Sequence, residues 1–133
     1  MWPEPVERIA TFLRASGAEG QLEQLLADVD EPPGPAVSAT AFECDRRGIV
    51  VLTPARLAVD RDKVSRAAGC TSLRAGPLPG FPFQPARVFL DRSLLVAGTV
   101  WLEAGSPRYV LGLSPAQLAR LTRAETADLL LET

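Results

Sequence analysis

The chain contains no histidine, and its only two cysteines, Cys44 and Cys70, stand 26 positions apart. A Ser-His-Asp triad, a Cys-His pair and a His-ligated zinc site are therefore excluded within this chain. The cysteine spacing is not that of a CxxC motif, and two thiols are too few for a zinc cage. One disulfide is compatible with the sequence, but two buried thiols in a reducing cytoplasm is the expectation. Asp91 has no histidine to orient and is expected to cap or brace a neighbouring loop rather than to act as a general base. The stretch "AGSPRYVLGLSPAQLARLT", Ala104 to Thr122, opens on a Gly-Ser-Pro turn, runs through an apolar strand and ends in a capped helix. By pattern, Gly105 to Pro107 is a β-turn joining two strands.

A second loop carries chemistry of shape. "GPLPGFPFQPA", Gly76 to Ala86, has too many prolines and glycines to be regular. Its Phe81 and Phe83 predict a rigid loop packed over a cavity or a core edge.

The elements that must hold these two loops are legible in outline. Val6, Ile9, Ala10 and Leu13 follow the i, i+3, i+4, i+7 spacing of an amphipathic helix over Pro3 to Ser16, with Gly17 placed to stop it. Trp2 is expected to anchor that helix. "QLEQLLADVD" reads as a second short helix, and "EPPGPA" breaks it. Ala36 to Cys44 alternates like a strand, "DRRG" is a turn, and Ile49 to Pro54 is an apolar strand buried on both faces, so the two form a hairpin. A helix follows, with Asp60 as N-cap and Gly69 as C-cap; its Lys63 is expected in solvent. "TSLRAG" is a short strand, and "RVFLDRSLL", "VWLEAG" and "RYVLGLS" are three more, with Trp101 in the core. Ser114 caps the last helix and Pro115 is its first residue. The tail "RAETADLLLE" either extends that helix or forms a separate turn. The order predicts one domain over residues 1–133 of the α+β (mixed α/β) class, helices covering a mostly antiparallel sheet.

Composition narrows the partners. The 133 residues, 47% of them hydrophobic, suffice for one buried core. Formal net charge is −2 from 14 basic and 16 acidic side chains, with no basic run, so a nucleic acid would be held by a few contacts rather than a basic face. All the cations but Lys63 are arginine, whose fork suits phosphate and carboxylate. No signal peptide or apolar run of spanning length is visible, which predicts a soluble cytoplasmic protein without a membrane partner.

The motifs "VFLDRSLL", "VWLEAGSPRYVLGLSPAQLARLT" and "ETADL" resemble the YbaK family, the aminoacyl-tRNA editing domains associated with prolyl-tRNA synthetase. The upstream "IVVLTPARLAVDRDKVSRAAG" fits the family's strand, "VD" and helix, so the resemblance covers most of the chain. It implies a YbaK-like fold and a free-standing protein that hydrolyses the ester of a mischarged tRNA, freeing a small amino acid such as alanine. The implied partners are that tRNA, through its 3′ terminal adenosine, and a synthetase. The implied chemistry needs no metal and no cofactor: water attacks the ester carbonyl, assisted by backbone amides and a ribose hydroxyl. Carried onto this chain, Gly105 and Ser106 are the catalytic turn, with Pro107 and Arg108 beside the substrate. Gly76 and Pro79 fit the family's Gly/Pro loop, with Phe81 also expected at the substrate, although Ala75 replaces its first glycine and the Phe-Gly order is inverted. Matching Phe42 to the family's phenylalanine places Ser38 where the family has its signature lysine, with Thr40 beside it. A serine cannot pair with phosphate as a lysine does, so Arg46, Arg74 or Arg108 would take over the clamp, or the domain binds the aminoacyl-tRNA terminus or a synthetase without hydrolysis. A monomer or a dimer is expected.

Overall fold

The computed structural model describes residues 2–132. The elements are α1 (Glu4–Ala15), β1 (Gln21–Gln24), β2 (Val37–Cys44), β3 (Arg47–Pro54), α2 (Arg61–Ala68), β4 (Leu73–Ala75), β5 (Arg87–Asp91), β6 (Val100–Glu103), β7 (Tyr109–Leu113), α3 (Pro115–Thr122) and β8 (Glu125–Ala127), with a 3₁₀ turn over Arg92–Val96. They make two sheets rather than one. A three-stranded antiparallel sheet has the order β1-β7-β6, and a five-stranded sheet the order β4-β2-β3-β5-β8. Pairing is antiparallel throughout except at β3–β5 and β5–β8. The expected α+β fold holds.

β2 shows how the sheets are held. Val37, Ala39 and Ala41 turn to the larger core, which lies against α1, α3 and the three-stranded sheet and centres on Leu52, Leu90, Leu111 and Leu118. Phe42 and Cys44 turn to a smaller core with Ile49, Val51 and Phe89, closed by Val64 of α2. β3 and β5 are apolar on both faces because both cores need them.

Helix ends follow their local chemistry. Asp60 accepts from the amides of Asp62 and Lys63, and Gly69 closes α2 at φ 73°, a left-handed position that glycine occupies freely. Ser114 accepts from Gln117 N ahead of Pro115. α3 ends differently: Arg123 holds the left-handed position, at φ 57°.

Several expectations are corrected. "QLEQ" is β1, not helix; Gln21–Gln24 pair with Gly112–Tyr109, and this pairing outweighs local pattern. The tail neither extends α3 nor forms an isolated turn. Glu125–Ala127 joins the sheet parallel to β5, and the following residues strap across α2 through the Val59–Leu130 bridge. Cys44 and Cys70 are a disulfide with Cα atoms 5.4 Å apart, not two thiols. Lys63 is half-buried, its side chain 14% exposed, because Asp128 and the Leu130 carbonyl draw the ammonium inward at 3.0 and 2.8 Å. Trp2 is 37% exposed and does not anchor α1 in the core. Asp91 does brace a loop: it accepts from Ser93 N and from Leu129 N at 2.8 Å. No helix of the described residues is long and apolar enough to cross a membrane.

Candidate functional site

The site begins at a two-residue hairpin turn. Asp45 and Arg46 both adopt positive φ, 50° and 75°, the type I′ geometry that suits strand twist. Asp45 also receives Thr71 N, Thr71 Oγ1 and Ser72 N, and these bonds hold its carboxyl below the usual carboxylate range. The turn sets β2 against β3, pairing Cys44 with Arg47 and Ser38 with Thr53. In such a ladder alternate residues bond across the pair. Ser38, Thr40, Phe42 and Cys44 thus bond to β3, whereas Val37, Ala39, Ala41 and Glu43 turn their N–H and C=O groups to the opposite edge.

That opposite edge is only partly covered. β4 takes Phe42–Cys44, and Gly76 N donates to Ala41 O at 3.2 Å. At the other end Trp101 N donates to Pro35 O at 2.9 Å beside the Ala36–Trp101 bridge. Between these ties no strand of the described residues pairs with the edge at Ala39. Gly76 sits tightly at one end of this unpaired stretch: a Cβ there would stand 3.0 Å from Glu43 Cγ and 3.1 Å from the Phe42 carbonyl carbon.

The Gly-Ser-Pro turn joins β6 to β7. Ala104 N bonds Tyr109 O and Tyr109 N bonds Ser106 O, so the amides of Gly105 and Ser106 are outside this pairing. Gly105 has φ 79°, and a Cβ there would meet Pro5 Cβ at 3.0 Å, which seats the turn on the first turn of α1. Seven residues further along α1, Phe12 meets Phe81 edge-on at 5.8 Å, and Phe81 meets Phe83 at 5.7 Å. α1 is therefore a common wall for the Gly105 turn and the Gly/Pro loop, about 10 Å apart along the helix.

Arg108 is half-buried with φ 72°. Its carbonyl accepts from Leu25 N, one Nη lies 3.4 Å from the Asp30 carboxylate, and the other Nη is buried with no hydrogen-bond partner among the described residues.

The remaining residues fall elsewhere. Ser38 and Thr40 project to the α2 side of the sheet, away from Ala39 and Ala41. Ser38 lies across from Thr53, whose buried Oγ1 has no partner among the described residues. Pro79 lines a cleft of about 1010 Å³ with Glu43 and Cys44 at the end of β2 and with Arg47, Gly48 and Arg87, away from Ala39. Arg46 and Arg74 line a shallower groove with Asp45 and Thr71. No hydrogen bond of the described residues joins the Gly105 turn to Ser38 or Gly76. Sequence reasoning missed the open edge at Ala39 because an alanine in a strand carries no signal; only the extent of β4 reveals it.

Sequence comparison finds no matching family model and no matching curated protein. Comparison of structures is decisive for the fold. A candidate trans-editing enzyme for prolyl-tRNA synthetase matches with TM-score 0.85 and 22% identity over 99% of this chain and 100% of that one. A protein from computational grafting of linear epitopes onto scaffolds matches equally, at 0.85 and 22% over the same shares. A hypothetical protein matches at 0.80 with 17% identity, over 93% of this chain and 99% of its own. The fold expected from the YbaK resemblance is the fold this chain adopts.

Proposed function

We propose that the protein is a trans-acting editing domain that hydrolyses the ester of a mischarged tRNA carrying a small amino acid such as alanine. The observation that carries this reading is the uncovered edge of β2 at Ala39, ending at Gly76. An aminoacyl ester entering there would find fixed backbone donors and acceptors in place of side-chain nucleophiles. The reaction is a hydrolysis: water adds to the ester carbonyl, the bond to the ribose oxygen breaks, and that oxygen leaves with a proton as the free hydroxyl. Backbone amides aimed at the developing oxyanion supply the stabilisation. Arg108, half-buried just past the Gly105 turn, is the guanidinium nearest that turn in sequence for a phosphate of the tRNA terminus. The setting implied is cytoplasmic, with a synthetase among the partners.

A second reading is favoured by one observation. Ser38 is neutral at the position where the family carries lysine, and a hydroxyl cannot replace that charge. On this reading the domain binds the aminoacyl-tRNA terminus or a synthetase without turnover.

Deacylation of alanyl-tRNA(Pro) and a panel of other small-residue mischarged tRNAs separates the two, using wild type, Ser38→Lys, Arg108→Gln and Gly105→Pro. Turnover by wild type that is lost in Gly105→Pro and weakened in Arg108→Gln establishes editing. Turnover by Ser38→Lys alone establishes the binding reading. No turnover and no tRNA binding by any folded form overturns both.

A further inference from the structure

A pocket of about 320 Å³ lies where α1 and α3 end beside the Gly/Pro loop, lined by Phe12, Ser16, Gln84, Leu121, Arg120 and Arg123 among others. Its volume is at the lower end for small-ligand sites, about 300–1,000 Å³. Every charged side chain lining it is an arginine. Arg14, on the last turn of α1, adds a third cation at the same helix end. None of the three forms an ion pair among the described residues, although the chain has more acids than bases.

The ordinary role of a cation at a helix C-terminus is to satisfy the last carbonyls and oppose the dipole. Here most of those carbonyls, three of the last four in each helix, are already bonded. Phe12 O accepts Ser16 N, Leu13 O accepts Ala18 N and Arg14 O accepts Gly17 N. Ala119 O accepts Ala124 N, Arg120 O accepts Arg123 N, and Thr122 O accepts Gln84 Nε2 at 3.1 Å. The guanidiniums go elsewhere: Arg120 bonds Gln117 Oε1 and Arg14 bonds Thr11 Oγ1. Arg123 carries its side chain into the pocket from a left-handed backbone that glycine would hold at lower cost.

We propose that this pocket binds a nucleoside monophosphate unit, the phosphate between Arg120 and Arg123 and the base against Phe12. Two guanidiniums outside any ion pair suit a phosphate, which would draw Arg120 from its Gln117 bond, an aromatic wall accepts any base, and Ser16 and Gln84 supply polar groups at the rim. The unit has two sources, a free nucleotide or a nucleotide within an RNA. The site is separate from the β2 edge and stands whether or not the chain edits tRNA.

Two-dimensional NMR, including arginine Hε signals, tests it by titration with adenosine 5′-monophosphate, adenosine, inorganic phosphate and a short single-stranded RNA. The expected result is saturable shifts at Phe12, Arg120 and Arg123 with the monophosphate, and at least tenfold weaker binding of adenosine or phosphate alone. Tighter binding of the RNA than of the monophosphate assigns the site to RNA, and the reverse assigns it to a free nucleotide. Arg123→Gly keeps the helix end in its preferred residue, so it should fold at least as well as wild type and bind about tenfold less tightly, as should Arg120→Gln. Shifts absent with both the monophosphate and the RNA, or unchanged in these two variants, overturn the proposal. Deacylation is not a readout here, so failure of this site and failure of the editing reading are told apart.

Discussion

Trp101 lies flat across Gly112, its partner between β6 and β7. A Cβ on residue 112 would stand 2.7 Å from Cη2 and 2.8 Å from Cζ2 and Cζ3 of the indole. Gly34 sits close to the same ring, where a Cβ would stand 3.2 Å from Nε1, so the indole has little room to retreat. Gly112→Ala is expected to cost about 1–3 kcal/mol, the usual penalty for overpacking a filled core. Urea unfolding followed by tryptophan emission measures it; an unchanged midpoint would show that the ring moves freely.

The Lys63–Asp128 pair ties α2 to the C-terminal strap, and its pH dependence has a definite sign. The Lys63 ammonium, bonded to the carboxylate, holds Asp128 below the ordinary aspartate value, and Asp128 in turn raises Lys63. The contribution from Asp128 is present above its unfolded pKa of about 4 and is lost as pH falls through the lower folded value. That from Lys63 is present at neutral pH and lost only as pH rises through the raised folded value. Asp128→Asn should therefore lower stability at pH 7 and flatten the acid limb below about pH 4. Unfolding midpoints across the acid range check this, and an acid limb as steep as that of wild type would contradict it.

Reduction of Cys44–Cys70 is expected to destabilise without rearranging the hairpin. For its 26-residue separation, chain entropy gives about 3.5 kcal/mol. The segment stays in place because Asp45 still receives Thr71 N, Thr71 Oγ1 and Ser72 N, and Asp45 N still donates to Ser72 O. Urea midpoints with and without reductant give the loss, and amide exchange at Thr71 and Ser72 tests the retained clamp. Rapid exchange at both after reduction would show that the disulfide alone held them.

On the editing reading, Gly76→Ala should cost far more activity than stability. The added Cβ presses on the β2 backbone at Phe42 and Glu43, displacing the loop that ends the open edge. The shift needed is a few tenths of an ångström, so turnover is expected to fall by less than the roughly 100-fold that a 1 Å misplacement costs. Deacylation rates beside unfolding midpoints test it; full activity in the folded variant would remove Gly76 from the site.

Where local chemistry and tertiary structure agree, the elements were readable. α1, the β2–β3 hairpin, α2 with Asp60 and Gly69, and α3 after Ser114-Pro115 stand where spacing and caps put them. β1 and β8 were not readable because neither carries an alternating apolar face. Gln21–Gln24 is a strand only through β7, and Glu125–Ala127 only through β5 and the Arg87–Glu125 ion pair. The ammonium of Lys63 moves inward for partners some 65 residues away, which no helical window contains. Of the candidate site residues, Gly76 and Gly105 stand where an added Cβ would press on Glu43 and Pro5, and Ser38 lies on the other face of the sheet from the Ala39 core.

Because β2 divides its side chains between two cores, sliding it by one residue along β3 would exchange every occupant. Ala41 or Glu43 would enter the seat of Phe42, depending on the direction of the slip, and residue 44 would turn away from Cys70. Only the native register brings the two sulfurs together. The cross-link thus works as a proofreader of strand alignment: once closed, it removes the slipped hairpin from the set of states the chain can revisit.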